Sequence, residues 1–182
     1  MSPEELLSFG FSKELIVVII SALPITELRG AVPVAINLFH FPWYYAFLLA
    51  VIGNILPVPF ILLFLNVFSK LLNKVNIFRN ILNYIFKQAA KRGKIIEKYQ
   101  RIGLVLFVAI PLPVTGAWTG SFAANLLGLK FKHAFISIFI GILIAGTIVT
   151  CLSLLGYTGA IIAGVGLISM CLFSFWRSQR QN

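Results

Sequence analysis

Two ionisable residues, Glu27 and Arg29, lie inside the apolar segment Leu23–Pro33, which reads Leu-Pro-Ile-Thr-Glu-Leu-Arg-Gly-Ala-Val-Pro. Ionised groups in hydrocarbon have a high free-energy cost, so they usually mark function. Proline lacks a backbone N–H and glycine is a poor helix former, so three residues here disfavour a continuous helix: Pro24, Gly30 and Pro33. Interrupted backbone at membrane depth is tolerated only when it is buried in protein or lines a wet cavity. The segment therefore predicts a re-entrant hairpin tip that carries a carboxylate and a guanidinium.

The composition places this segment in a membrane protein. Of the 182 residues, 59% are hydrophobic and 11% are charged, whereas an average soluble domain has about 25% charged residues. Fifteen Lys and Arg oppose five Glu, which gives a net charge of +10. No basic stripe interleaved with aromatic residues on a soluble domain is visible, so nucleic-acid binding is not predicted. The excess of cations instead indicates cytoplasmic segments of an integral membrane protein.

The sequence offers no pattern for a metal, a cofactor, a disulfide or an enzyme. Cys151 and Cys171 lie in apolar runs, and the two histidines are elsewhere. We find neither a nucleophile beside a base nor a carboxylate pair. Glu4 and Glu5 stand where a cleavable signal would have a basic region.

The first half of the chain contains two short apolar arms and one long one. Leu15–Leu23 has nine apolar residues, enough to reach about half-way through a hydrocarbon core of about 30 Å. Val34–Phe39 returns after the tip. Phe41–Asn66 is then long enough to cross the membrane, and Pro57 and Pro59 predict a kink in it.

A basic segment separates the two halves. Ser69–Arg101 carries nine cations against the single acidic residue Glu97. Apolar residues recur in it at alternating steps of four and three: Leu71, Val75, Phe78, Leu82, Ile85 and Ala89. This spacing predicts a basic amphipathic helix on the anionic inner leaflet, and a cytoplasmic helix packed on the protein itself is the alternative.

The second half repeats the order of the first. A short arm, Ile102–Ile110, precedes a proline-broken stretch, Pro111–Gly120, and a returning arm, Ser121–Leu129. Ala134–Leu155 is long enough to cross the membrane, and Ala160–Trp176 predicts a further crossing. A shift of 88 residues superimposes three dipeptides: Asn37-Leu38 on Asn125-Leu126, Ala46-Phe47 on Ala134-Phe135, and Ile52-Gly53 on Ile140-Gly141. These features predict an internal duplication.

The predicted fold is a single all-α integral membrane domain, residues 1–182. It contains an inverted repeat. Each repeat unit has one re-entrant hairpin and one crossing. Because the number of crossings is odd, the second unit is inverted in the membrane relative to the first. The predicted parts are repeat 1 at about 13–66, the basic amphipathic segment 69–101, repeat 2 at about 102–155, and a C-terminal transmembrane helix, 158–176. With the N-terminus outside and the C-terminus cytoplasmic, nearly all cations lie inside, as in a plasma (inner) membrane protein. Five simple crossings would leave four cations outside: Lys130, Lys132, Arg177 and Arg180.

The segment Glu27–Pro33, Glu-Leu-Arg-Gly-Ala-Val-Pro, resembles the hallmark of the small multi-drug export protein family. Pro111–Gly120 is a second family-like stretch, and the likeness extends over most of residues 13–155. The family is distantly similar to the DedA or VTT membrane proteins, which have two facing re-entrant hairpins. The resemblance implies a transporter of small molecules, or a flippase or scramblase of lipids or lipid phosphates. The DedA pattern tends to bring charged residues on both hairpins, whereas the second tip here has none.

The candidate substrate and proton site combines the two tips. Glu27 is expected to exchange a proton and Arg29 to meet an anionic or polar substrate group, with helix N-termini assisting. The second tip offers Thr115, Trp118 and Thr119, and its predicted break involves three residues: Pro111, Pro113 and Gly116.

Alternatives remain open for the site and for the function. Glu27 and Arg29 form either a functional pair or a structural ion pair between the hairpins, and the threonines either bind substrate or satisfy freed backbone groups. The alternative from another functional class is a non-transporting factor in membrane assembly or lipid organisation. The substrate, the coupling ion and a homo-oligomeric state are left open.

Overall fold

The computed structural model describes residues 10–72, 93–111, 115–156 and 158–159. These residues form helices and connecting turns, with no β-strand among them. Seven α-helices are present in this part of the chain: α1 (Lys13–Ala22), α2 (Glu27–Pro33), α3 (Trp43–Ile55), α4 (Pro57–Leu72), α5 (Gly93–Ala109), α6 (Ala117–Leu126) and α7 (Phe131–Leu154). A short π-helix, Val34–Leu38, extends α2. The predicted all-α class is confirmed.

Among the described residues, two helical stretches are long and apolar enough to cross a membrane. They are Trp43–Leu65 and Phe131–Leu154, with 23 and 24 residues and a mean hydropathy of 2.5 each, and about 20 apolar residues span the hydrocarbon core. The first consists of α3 and the start of α4, which meet at Leu56. Pro57 begins α4, a position where its missing N–H costs little. The division between α3 and α4 therefore lies at one of the two prolines that predict a kink.

The outer faces of these two stretches are apolar. Large hydrophobic side chains on these faces are exposed on the protein surface: Leu48, Ile52, Phe60, Leu63, Phe64, Ile136, Ile140, Ile144 and Ile148. An apolar surface this extensive is unfavourable in water and matches a lipid environment. Most of the predicted crossing at 158–176 and most of the amphipathic stripe lie outside the described residues.

The first helix pair consists of α1 and α2, which pack against each other. The chain breaks between Ala22 and Glu27, where the Thr26 hydroxyl donates to the Ile20 carbonyl at 2.6 Å. Pro24 lies in this break, as the sequence predicts. Two of the predicted tip residues lie inside the returning helix instead: Gly30 and Pro33. The helix changes to a π-helix directly after Pro33, a local adjustment that accompanies proline in membrane helices.

The second helix pair consists of α5 and α6. Helix α5 begins at Gly93, so the short arm predicted from Ile102 is the end of a longer helix. It ends at Ala109, just before Pro111, and α6 begins at Ala117. Residues 112–114, which include the predicted tip residue Pro113, are not described.

Each long helix packs against the first helix of the pair that precedes it. Helix α3 packs on α1, and α7 packs on α5. A glycine permits the close approach in both cases: a Cβ at Gly53 would overlap the Val18 backbone, and a Cβ at Gly141 would overlap Val108. These two glycines are 88 residues apart.

The same separation recurs where the chain turns into each long helix. Helix α3 begins at Trp43 and α7 begins at Phe131. Before them, His40 and Gly128 both adopt left-handed backbone, with φ of 56° and 67°. The corresponding turns and glycine contacts are therefore 88 residues apart, the same separation as that of the matching dipeptides in the sequence.

Candidate functional site

Glu27 occupies an unusual backbone position at the start of α2. Its φ of +47° is left-handed, a conformation that non-glycine residues rarely adopt and that often occurs at functional sites. Its N–H donates to the Leu23 carbonyl at 3.1 Å, which closes the turn before the helix. The residue is only 4% exposed. A carboxylate in such a place needs compensating partners, because burial of an ionised group is unfavourable.

Arg29 supplies the first partner. Its Nη2 donates to Glu27 Oε2 at 3.0 Å, and 21% of the Arg29 side chain remains exposed. Residues two apart in a regular helix point about 200° from each other. The two side chains nevertheless meet at the start of α2, where the backbone of Glu27 is left-handed. The predicted pairing of Glu27 with Arg29 is therefore present.

The N-terminus of α6 supplies the second set of partners. Glu27 accepts hydrogen bonds from the backbone N–H groups of Trp118, with a long Oε1···N distance of 3.5 Å, and Ala117. The first N–H groups of a helix lack intrahelical acceptors and form its positive end. Glu27 thus caps a helix that lies 91 residues further along the chain.

Gly116 makes room for this cap. A Cβ added at Gly116 would overlap the carboxylate of Glu27. Gly116 is the N-cap residue of α6, and it has no side chain that could cap the helix. The predicted tip residue therefore lies directly against the predicted ionisable residue.

Trp118 makes a return contact to the first helix pair. Its indole Nε1–H donates to the carbonyl of Ala22 at 3.1 Å. Ala22 is the last residue of α1, where carbonyl groups lack intrahelical donors. Each helix pair consequently satisfies a free helix end of the other, through Glu27 in one direction and Trp118 in the other. We call these two contacts the reciprocal caps.

The two predicted threonines bond to the backbone of their own helix pair. The Thr115 hydroxyl donates to the Ile110 carbonyl at 2.6 Å. The Thr119 hydroxyl donates to the Gly116 carbonyl at a longer 3.5 Å. These bonds satisfy backbone acceptors near the break after α5. This is the structural role that is the alternative to substrate binding for the two threonines.

A narrow cleft lies beside the ion pair. It is bordered by the two helix pairs and by α3 and α7, and its lining includes Glu27, Arg29, Asn54, Val108, Ala117 and Ile142. The cleft has no room for a water-sized sphere. In this conformation the candidate site is closed.

Asn54 is a polar lining residue that was not predicted from the sequence. It is 1% exposed, and its side-chain Oδ1 has no hydrogen-bond partner in the described structure. An amide in the middle of the long apolar arm Phe41–Asn66 was the available signal, because polar residues within membrane spans are rare and often functional.

The chemistry of this site is that of ion pairing and hydrogen bonding. Within the described ranges, no three His, Cys, Asp or Glu residues come close enough to hold a metal ion. Membrane-length helices surround a buried polar cluster formed by two helix pairs, which defines an all-helical integral membrane protein with an internal ion pair.

A family model described as "putative small multi-drug export protein" matches residues 27–148. The match covers more than half of the chain, so the protein belongs to this family, as the resemblance at Glu27–Pro33 predicts. It begins at Glu27 and includes the whole cleft lining. The family is described by export rather than by an enzymatic reaction. No curated protein and no solved structure matches the chain. The likeness to DedA proteins stays a prediction.

Proposed function

We propose that the protein is a proton-coupled membrane transporter of the small multi-drug export family whose substrate site lies between the tips of two re-entrant hairpins. One observation carries the proposal: the buried carboxylate of Glu27 is bound by Arg29 and, across the molecule, by the N-terminus of α6. A helix N-terminus beside a guanidinium is suited to an anionic group. Glu27 occupies that place, and an anionic group of a substrate would compete with it.

The proposed architecture is an inverted repeat in which α1 with α2 and α5 with α6 are the re-entrant hairpins. The recurrence at 88 residues of a helix start, a left-handed turn and a glycine contact supports the repeat. The ten residues of α1 are about 15 Å long, half the thickness of the hydrocarbon core. Binding sites at the interface of such repeats are a common feature of secondary transporters.

The proposed orientation in the plasma membrane follows the distribution of cations. The segment around Arg92 and the end of the chain are cytoplasmic, and the N-terminus is outside. Single cysteines at Ser2, Lys91 and Gln179, with Cys151 and Cys171 replaced, allow labelling by an impermeant thiol reagent in intact cells. We expect labelling at position 2 alone. External labelling at position 179 would contradict the orientation.

The proposed cycle begins from the closed state. An ionised Glu27 holds α6 and keeps the cleft closed. An anionic group that reaches Arg29 and the α6 N-terminus weakens both attachments of the carboxylate. Glu27 then takes up a proton, because the ionised carboxylate has lost the cation that stabilised its charge. Substrate binding and proton uptake are linked through the same two residues.

Proteoliposomes test this proposal with one anionic probe, carboxyfluorescein, and one cationic probe, ethidium. We expect carboxyfluorescein movement to be accompanied by proton movement in the wild type. Glu27→Gln abolishes the proton movement, whereas Arg29→Gln chiefly weakens probe binding. Glu14→Gln is the matched control, because Glu14 lies in the first turn of α1 and away from the cleft. Proton movement that persists unchanged in Glu27→Gln would contradict the proposal.

A further inference from the structure

We infer that Asn54 is the docking position of the protonated Glu27 side chain. In this arrangement the carboxyl group leaves the N-terminus of α6 when it takes up a proton and donates a hydrogen bond to the amide oxygen of Asn54 on α3. The inference rests on the proposed function, in which Glu27 exchanges a proton. It adds a positioning residue and a second resting place for the carboxyl group.

The state of Asn54 is the first observation. Its Oδ1 is buried and lacks a hydrogen-bond partner in the described structure, which is unfavourable for a polar atom. The side chain lines the same cleft as Glu27 and Arg29. The cleft has no room for a water-sized sphere in this conformation. A side chain that moves within the cleft can supply the missing donor.

The hydrogen-bonding capacity of Glu27 is the second observation. An ionised carboxylate only accepts hydrogen bonds, and it is here satisfied by Arg29 and the α6 N–H groups. A protonated carboxyl group has one O–H donor, and its bonds to cationic and positively polarised donors weaken. It therefore requires an acceptor, which the cation and the helix N-terminus do not offer.

The other elements around the cleft do not provide that acceptor through their side chains. Arg29 is the charged group that acts on Glu27, and it has only donors. Helix α7 contributes Ile142 and Ala145, and α5 contributes Val108. Among the described lining side chains, the Asn54 amide matches the need of the protonated acid. A carboxyl group at Asn54 leaves Arg29 and the α6 N-terminus open to an anionic group.

A double-mutant cycle tests the inference without any substrate. Glu27→Gln keeps the shape of the protonated acid and carries N–H donors, so it represents the docked state. In the wild type near neutral pH, Asn54→Leu removes an unpartnered buried amide, and we expect the melting temperature in detergent to stay the same or rise. In Glu27→Gln, the same change removes a hydrogen bond, and we expect a fall of roughly 2–4 °C.

Thr150→Val is the matched control. The Thr150 hydroxyl is also buried and without a partner in the described structure, but it does not line the cleft. We expect the same shift in both backgrounds for this change. Repeating Asn54→Leu in Glu27→Gln with Arg29→Gln identifies the donor, because the fall persists if residue 27 donates to Asn54.

Two results would overturn the inference: equal shifts for Asn54→Leu in the wild type and Glu27→Gln, or a fall that disappears once Arg29 is replaced. Lack of proton-coupled movement of the probes defeats the proposed function but leaves this stability cycle unaffected. The two failures are therefore distinguishable.

Discussion

The two helix pairs reach the cleft with different chemistry. The first presents two ionisable side chains, Glu27 and Arg29, on a left-handed turn. The second presents backbone N–H groups, a glycine and an indole. The buried carboxylate of Glu27 therefore bonds to both pairs. The second pair binds it with the N-terminus of α6 instead of a charged side chain. A cleft built this way needs only one group to change its charge in order to loosen contacts on both sides.

The largest effect is expected at Gly116, which lies against the Glu27 carboxylate of the other helix pair. We expect Gly116→Ala to lower the free energy of unfolding by about 3 kcal/mol, because the new methyl group overlaps the Glu27 carboxylate and displaces it from the helix end. Gly103→Ala on α5 is the control, since a Cβ there meets no atom within 4 Å. Detergent thermal unfolding of both variants measures the effect, and equal stability would mean that the close contact does not hold the pairs together.

The ion pair gives the next largest expected effect. We expect Arg29→Gln to cost about 1–2 kcal/mol, less than for a fully buried pair, because Arg29 is partly exposed and Glu27 retains its N–H donors. Glu27→Gln should cost about 1 kcal/mol. If both single variants instead lose most of their stability and the double variant recovers it, the pair is structural and its transport role is excluded.

Trp118 tests the contact in the opposite direction. Trp118→Phe keeps an aromatic ring but removes the donor to the Ala22 carbonyl, and we expect a loss of about 1 kcal/mol. Trp43→Phe is the control, because Trp43 is largely exposed at the start of α3. Its replacement should change thermal stability by less than about 0.5 kcal/mol. If Trp118→Phe lost no more stability than Trp43→Phe, the bond from Trp118 to the Ala22 carbonyl would not stabilise α1.

Thr119 gives the smallest expected effect. Its hydroxyl makes a long bond to the Gly116 carbonyl, so Thr119→Val should cost about 0.5 kcal/mol or less. Carboxyfluorescein movement in proteoliposomes is the informative measurement. A large loss of movement at unchanged stability would add Thr119 to the substrate contacts, and Thr147→Val, an exposed threonine on α7 with the same kind of backbone bond, serves as control.

The sequence predicted several features of the site for physical reasons that remain visible in the structure. An acid and a cation two residues apart in an apolar segment require each other, and they are paired. Pro24 lies in the break between α1 and α2, and Pro57 lies at the interruption of the first long helix. The second tip, identified by its prolines and glycines, lies against the first.

Other features depend on contacts that the sequence does not display. The left-handed φ of Glu27 is maintained by its surroundings, since nothing in a Thr-Glu-Leu sequence favours it. The cap on α6 joins residues 91 positions apart. Gly30 and Pro33 were expected at the tip because of their low helix propensity, but both lie inside α2, which continues into a π-helix. Asn54 was not predicted, although an amide within an apolar arm was a signal, and it became a candidate through its burial and its missing partner.

The reciprocal caps also have a consequence for how the chain is made. Ribosomes add about 5–20 residues per second, so the α6 N-terminus leaves the ribosome roughly 5–20 s after the residues that bind it, which precede it by 91 positions. During that interval the carboxylate of Glu27 has Arg29 beside it but lacks the N–H groups of α6, and the last carbonyl of α1 lacks the indole of Trp118. The first helix pair therefore gains its full set of contacts only when the second pair has been made.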